Sequence, residues 1–241
     1  MNSYLNNPKL KTDTIEKLKA SIAKNILVQE KLELGFHEHW EDGKGTVLGC
    51  ISELNEIEDI AKMFGFPEQL LEIQDHIFQF LEEEAAQKFG LDFLEAIPVG
   101  SDLKSVWIKY FIWLLAEVES STMDGLGHIP LAKTTIELAV KTLKELLVKD
   151  IPHEKLEKGV ILNLNSYRRS VGEAADAGAI EPDYAGWELA KAHCAVNAYT
   201  NSRFSNMVLP QGGHDQMWNF LADQLIELIK EGKIISNTFE E

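Results

Sequence analysis

The stretch IPVGSDLKSVWIKYFIWLLAEV, from Ile97 to Val118, limits what this chain can fold into more than any other. Pro98 and Gly100 break whatever precedes it, and Ser101 or Asp102 offers an N-cap side chain, so a helix is expected to start there. Leu103, Val106, Trp107, Tyr110, Leu114 and Val118 form one apolar stripe at helical spacing, and Ile108, Ile112 and Leu115 form a second. Only Lys104, Ser105, Lys109 and Glu117 interrupt the apolar circumference. A helix apolar nearly all round needs neighbours on several sides. Trp107, Tyr110, Phe111 and Trp113 give it large areas to bury. With about thirteen mostly apolar residues and Lys109 among them, it is too short to span a bilayer. The expectation is an all-α fold, an irregular bundle of about eight helices around a buried central helix at residues 102–118.

A chain of 241 residues with 45% hydrophobic side chains can bury a sizeable core without staples. Its two cysteines, Cys50 and Cys194, give no disulfide framework, and MNSYLNNPKLK lacks the apolar run of a signal peptide. A cytoplasmic location is the expectation. With 39 acidic and 23 basic side chains the net charge is −16, which repels a phosphate backbone, so nucleic acid is not an expected partner and neither is a membrane. Acidic residues cluster at Glu53 to Asp59 and Glu82 to Glu84, as solvated helix faces would have them.

Along the chain, the first ten residues read as a loose arm. Asp13 and Glu16 have the form of a capping box, and Ile15, Leu18, Ile22 and Ile26 predict a helix running to about Leu34 and ended by Gly35. Gly43 and Gly45 flank Lys44 in an expected turn, and TVLGCIS reads equally as a short strand or a first helical turn. Helices are expected from Glu53 to Phe64, and from Pro67 to about Ala86 on the stripe Leu70, Ile73, Ile77 and Phe80. After the turn-rich SSTMDGLGHIP, Pro130 opens a helix with Ile136, Val140, Leu143 and Leu147 on one face and Glu137, Lys141, Glu145 and Lys149 as i,i+4 pairs on the other. Leu156, Val160, Leu164, Tyr167 and Val171 continue a helical spacing. Tyr184, Trp187, Ala190, Cys194 and Ala198 mark an alanine-rich helix, and Trp218, Leu221, Leu225 and Leu228 mark a last one. A single domain over residues 1–241 is expected, with any subdivision near 120–130 or 150–152.

Few residues here carry recognisable chemistry. Gly43-Lys44-Gly45-Thr46 with Gly49 invites a phosphate-loop reading, but no glycine stands five residues ahead of a Gly-Lys-Ser/Thr and no βαβ unit surrounds it. His37 and His39 stand at i and i+2 and converge only on an extended chain, with Asp42 and Cys50 as further zinc-compatible donors. Their spacing selects no metal, and solvated histidines beside Trp40 are the simpler reading. Arg168 and Arg169, followed by Glu173, form the other cluster, where arginine in a lysine-using chain suits a bidentate contact with a carboxylate or small anion. An ion pair between helices accounts for the same residues. Trp40, Asp42, Lys44, Cys50, Arg168, Arg169 and Glu173 are thus the candidate ligand-binding residues, and no catalytic set or cofactor is implied.

Three runs, GKGTVLGC at Gly43 to Cys50, FGFPEQLLEIQDHIF at Phe64 to Phe78, and FLEAIPVGSDLKSVWIKYFIWLL at Phe93 to Leu115, resemble a family of uncharacterised helical proteins of bacteria and their phages. The C-terminal alanine-rich helices are more weakly similar to those of bacterial immunity-like proteins, although this chain has less alanine and arginine there. The resemblance implies an all-helical fold, draws attention to Lys44 and Cys50, and implies no activity. The leading functional expectation is therefore a protein-interaction module, phage-related or immunity-like. A small-molecule-binding protein or enzyme, with a site between helices near Lys44 and Cys50 or near Arg168 and Arg169, is the alternative.

Overall fold

Asn7 turns the chain into helix α1, Pro8–Ala23, by accepting the Lys9 N–H on its side chain at 3.0 Å, with Pro8 at the first helical position. In this computed structural model, residues 2–29, 38–117, 130–176 and 214–235 are described. Helix α1 starts earlier than the Asp13–Glu16 pattern suggested and stops well before Leu34. Asp13 instead pairs with Lys9 at 2.8 Å, and Asn25 adopts a left-handed conformation, φ 55°, that ends the helix. Residues 26–29 then run beside Gly45, with Leu27 in an isolated parallel bridge to it.

The remaining elements follow in order: β1 (Trp40–Glu41), β2 (Lys44–Gly45), α2 (Val47–Ser52), α3 (Ile57–Phe64), α4 (Glu68–Phe80), α5 (Glu83–Ala96) and α6 (Lys104–Ile112). A π-helical turn at Trp113–Glu117 continues α6, where the sequence suggested a regular helix. Beyond it lie α7 (Pro130–Val148), α8 (His153–Leu156), a second π turn (Glu157–Ile161), α9 (Leu162–Asp176) and α10 (His214–Ile235). The fold is all-α, with β1 and β2 as a small antiparallel ribbon. Two compact units divide it, one of residues 1–107 with 215–241 and one of residues 108–214. The expected alanine-rich helix, Cys194, His37 and most of SSTMDGLGHIP lie outside the described residues.

In the first unit the N-terminal residues are built into the core rather than hanging from it. Tyr4 is fully buried, its hydroxyl donates to the Leu94 carbonyl at 2.7 Å, and its ring meets Phe66 edge-on at 5.0 Å. Ser3 donates its N–H to Ser101 O and its hydroxyl to Pro98 O, and accepts the Gly100 N–H on its carbonyl. These bonds tie the chain start to the loop between α5 and α6. On α4, Leu70, Ile73 and Ile77 of the expected stripe are buried, Phe78 is buried beside them, and Phe80, the stripe's last member, is half-buried and stacks on Trp218 of α10 at 4.7 Å and 13°. Such a stack adds about 0.5–1.5 kcal/mol to the burial itself. Asp102 accepts the Lys104 N–H at 3.0 Å, the cap expected of it, and Val106 and Trp107 are buried.

In the second unit Ile108, Tyr110, Phe111, Ile112, Leu114 and Leu115 are buried, so the apolar circumference of this helix is covered on several sides. Helix α7 turns at residues 149–152 into α8, the π turn and α9. Its buried face is Ile136, Ala139, Val140, Leu143 and Leu146, whereas Leu147, placed on that face from sequence, is 38% exposed. Leu146 and Leu147 are both compatible with a 3.6-residue repeat, and the neighbouring helix selects the first. Glu145 pairs with Lys155 across the turn rather than with Lys141 or Lys149. The hydrogen bond from Lys155 holds the Glu145 carboxyl below its ordinary pKa.

Gly159 fixes how closely the two arms of this hairpin approach. A Cβ there would overlap Thr142 Oγ1 and stand 2.7 Å from Thr142 Cγ2 and 3.0 Å from its Cβ. Gly159→Ala should therefore cost about 1–3 kcal/mol by overpacking. In a Thr142→Ala background most of that cost should vanish, giving a coupling of about 1 kcal/mol or more in a double-mutant cycle followed by urea unfolding. Equal costs in both backgrounds would show that the two residues do not meet.

Candidate functional site

The described residues from His39 to Cys50 fold into a hairpin seated on the start of α2. Asp42 and Gly43 have φ values of 49° and 78°, the two consecutive positive values of a type I′ two-residue hairpin turn, and Asp-Gly is among the pairs that supply them. The turn is thus Asp42-Gly43, one residue earlier than the Gly-Lys-Gly reading placed it. Trp40 pairs with Gly45 and Glu41 with Lys44. Asp42 and Lys44 are exposed at the tip, and Trp40 is half-buried with its N–H donated to Asn55 Oδ1 at 2.7 Å.

At the base of the ribbon the chain closes on His39. Its carbonyl accepts the Thr46 N–H at 3.0 Å, and its Nδ1 lies 3.0 Å from Thr46 Oγ1 and 3.7 Å from Asp75 Oδ1 of α4. Thr46 also N-caps α2, its hydroxyl oxygen accepting the Gly49 N–H at 3.4 Å. His39 is only 2% exposed, so the solvated histidine expected here is instead a buried one held between a cap and a helix. It is turned inward while Asp42 and Lys44 stay out.

The two glycines of the GKGTVLGC run serve that closure. A Cβ on Gly45 would overlap the His39 carbonyl oxygen and stand 2.8 Å from the Trp40 ring, and one on Gly49 would overlap the same carbonyl and stand 3.0 Å from Trp40 N. Cys50 is buried behind them, its thiol donating to the Gly45 carbonyl at 3.3 Å. Burial, the largest cause, pushes the thiol's pKa above its ordinary value, with contacts to Ser21 and Gly45 offsetting part of the effect. Lys44 and Cys50 therefore do not converge: one is exposed at the tip and the other sealed beneath the base.

Such a thiol should be poorly reactive. In a Cys194→Ser background, labelling of Cys50 by a neutral thiol reagent should be at least about a hundredfold slower in the native chain than in the urea-unfolded one. Similar rates in the two states would mean that Cys50 is open to solvent.

Chemically, Thr46 Oγ1 and Asp75 Oδ1 face the same ring nitrogen of His39. A hydroxyl-to-imidazole-to-carboxylate relay needs them on opposite nitrogens. The arrangement orients a ring and anchors a ribbon. Among the described residues no group of three or more His, Cys, Asp or Glu side chains is placed to hold a metal ion.

The arginine cluster falls on α9 of the second unit, far along the chain from the hairpin. Arg168 lies on that helix, and Arg169 and Glu173, one turn apart, are both exposed and make no ion pair with each other. An exposed pair gains at most about 1 kcal/mol against side-chain entropy, too little to enforce the contact the spacing allowed. Sequence reasoning missed Thr46 and Asp75. A threonine three residues before Gly49 carries a capping signal, but nothing in sequence links either residue to His39.

Taken together, fold and cluster define an all-α chain with a glycine-seated hairpin clasped onto one of its units. Comparisons with models of protein families, with curated proteins and with solved structures find no match.

Proposed function

We propose that this chain is a protein-interaction module whose partner presents a basic face. The observation that carries the reading is the rim of Glu82, Glu83 and Glu84 at the start of α5, exposed and without an ion pair among the described residues. By contrast the buried polar side chains around His39 are engaged in holding the hairpin. The overall excess of acid, net −16, would steer a basic partner over a long range. The resemblance of the Gly43 to Cys50, Phe64 to Phe78 and Phe93 to Leu115 runs supports a phage-related setting in the bacterial cytoplasm, and the weaker likeness of the C-terminal alanine-rich stretch supports a toxin-neutralising one. No described helix is long and apolar enough to cross a membrane.

A tagged full-length chain, cross-linked in bacterial lysate at about 0.1 M salt, should carry one basic protein at near-stoichiometric yield, lost at about 1 M salt where the Debye length falls to about 3 Å. The same protein should be lost when Glu82, Glu83 and Glu84 are together replaced by lysine. Recovery of no partner at either salt, or turnover of small molecules by the purified chain, would overturn the reading.

A further inference from the structure

Beside that acidic rim the extended chain after α1 leaves a strand edge open over a cleft. Gly45 donates its N–H to Ile26 O at 3.0 Å and accepts the Val28 N–H at 2.9 Å, so Leu27 is bridged in parallel to β2. In an extended chain the N–H and C=O of one residue point to the same edge, and those of the next residue to the opposite edge. The N–H and carbonyl of Leu27 therefore face away from β2, and among the described residues nothing pairs with them. Leu27, Val28 and Gln29 line one side of a cleft of about 260 Å³ whose other lining residues are Phe78, Ala86, Glu83 and Gln87. Gln29 fixes one end by donating its Nε2 to the carbonyls of Phe78 and Leu81, at 2.6 and 2.7 Å.

We infer that this cleft takes an extended, basic-flanked peptide segment of a partner protein, added as a strand along Leu27. The inference rests on the proposed interaction role and assigns it a surface. Strand addition uses main-chain bonds for affinity and side-chain pockets for selection, and the open Leu27 edge supplies the first. The volume decides the second: it lies below the roughly 300–1,000 Å³ of sites for drug-sized ligands, and its apolar part, Phe78 with Leu27 and Ala86, suits one aliphatic side chain. Gln87, half-buried and without a hydrogen bond among the described residues, offers a carboxamide to the peptide backbone. Charge sets the flanks. The α5 N-terminus carries about half a positive charge from its dipole, and three carboxylates outweigh it, so the rim is negative and selects lysine or arginine.

The test uses the isotope-labelled full-length chain and three short synthetic probes: valine and threonine alternating between lysines, the same core between glutamates, and the lysine probe N-methylated at its central residue. In the free protein the Leu27 amide should exchange with solvent quickly. Titration of the lysine probe up to millimolar concentration should slow that exchange and shift resonances confined to Leu27 to Gln29, Phe78 and Glu83 to Gln87. It should bind at least about tenfold more tightly than the glutamate probe at low salt. Glu83→Lys, at an exposed site that leaves the fold intact, should reduce that preference, and N-methylation should abolish binding. A Leu27 amide already protected in the free chain, shifts elsewhere or none at millimolar probe, or equal binding of acidic and basic probes would overturn the inference. A salt-sensitive partner whose cross-links map away from the cleft would overturn this surface while leaving the interaction role standing, and absence of any partner would overturn the role and with it this inference.

Discussion

Gly49→Ala should destabilise the first unit by at least about 3 kcal/mol, the upper end of ordinary overpacking costs. In a solvent-facing helix the same change would stabilise by about 1 kcal/mol through helix propensity, so the sign itself is diagnostic. What reverses it is the identity of the atoms in the way: the His39 carbonyl carbon and oxygen and the Trp40 nitrogen are all main chain. No rotamer change can move them. Relief requires either lifting the ribbon off α2, which breaks the Thr46 N–H bond to His39 O and draws His39 from Thr46 and Asp75, or distorting α2 at its first turn. Gly90 is the contrasting case, because a Cβ there meets chiefly a methyl of Val47, a side chain able to shift. Against a total stability of about 5–15 kcal/mol, the loss at Gly49 is large enough to read from urea midpoints, with Cys50 labelling as an independent report of the lifted ribbon. A Gly49→Ala chain within about 0.5 kcal/mol of the parent would mean that the hairpin is not seated on α2.

Periodicity carried the reading of this fold wherever a helix packs one face on a core. Leu70, Ile73 and Ile77 of the α4 stripe, Ile136, Val140 and Leu143 of the α7 stripe, and Val106, Trp107, Tyr110 and Leu114 along α6 and its π turn are buried as their spacing requires. It failed where the backbone leaves the common regions. Tyr4, Leu5 and Asn6 have φ values of 50°, 50° and 60°, a left-handed run that asparagine favours but tyrosine and leucine do not, and that tertiary bonds from Ser3 and Tyr4 hold in place. The end of α1 was hidden for a related reason. Ile26 continues the apolar spacing of Ile15, Leu18 and Ile22, yet Asn25 turns the chain and Ile26 enters an extended segment. The division between units at residues 107 and 108 falls inside α6, where composition does not change. At the hairpin the sequence exposed the right residues for the wrong purpose. Glycines at positions 45 and 49 can admit a phosphate or another backbone, and only the fold shows that it is the His39 carbonyl.

Tyr4→Ala should cost about 3–5 kcal/mol, as for other large aromatic truncations in a core. A residue near the end of a chain ordinarily costs far less, because termini fray; here the ring is fully buried between Phe66 and the α5 helix end, with the Lys11 ammonium 5.8 Å from its centroid. Lys11 in turn donates to the carbonyls of Glu95 and Ile97 at 2.7 Å, so the chain start and the end of α5 are bonded through two routes. Tyr4→Phe separates the hydroxyl from the ring, and losing a buried bond to Leu94 O should cost about 1 kcal/mol near neutral pH. Alkali supplies a further discriminating measurement. Burial raises the Tyr4 pKa well above its ordinary value, so the native state keeps the proton while the unfolded chain releases it near pH 10. The stability tied to that proton is complete below about pH 10 and is lost as pH climbs from there towards the folded-state pKa. On going from pH 8 to pH 11 the parent should consequently lose about 1.4 kcal/mol that Tyr4→Phe keeps, closing the gap and slightly reversing it, since the variant lacks this titration and the other tyrosines cancel in the difference. Urea unfolding of both chains across that range checks it, and a gap that stays constant would place the Tyr4 hydroxyl in water rather than against Leu94.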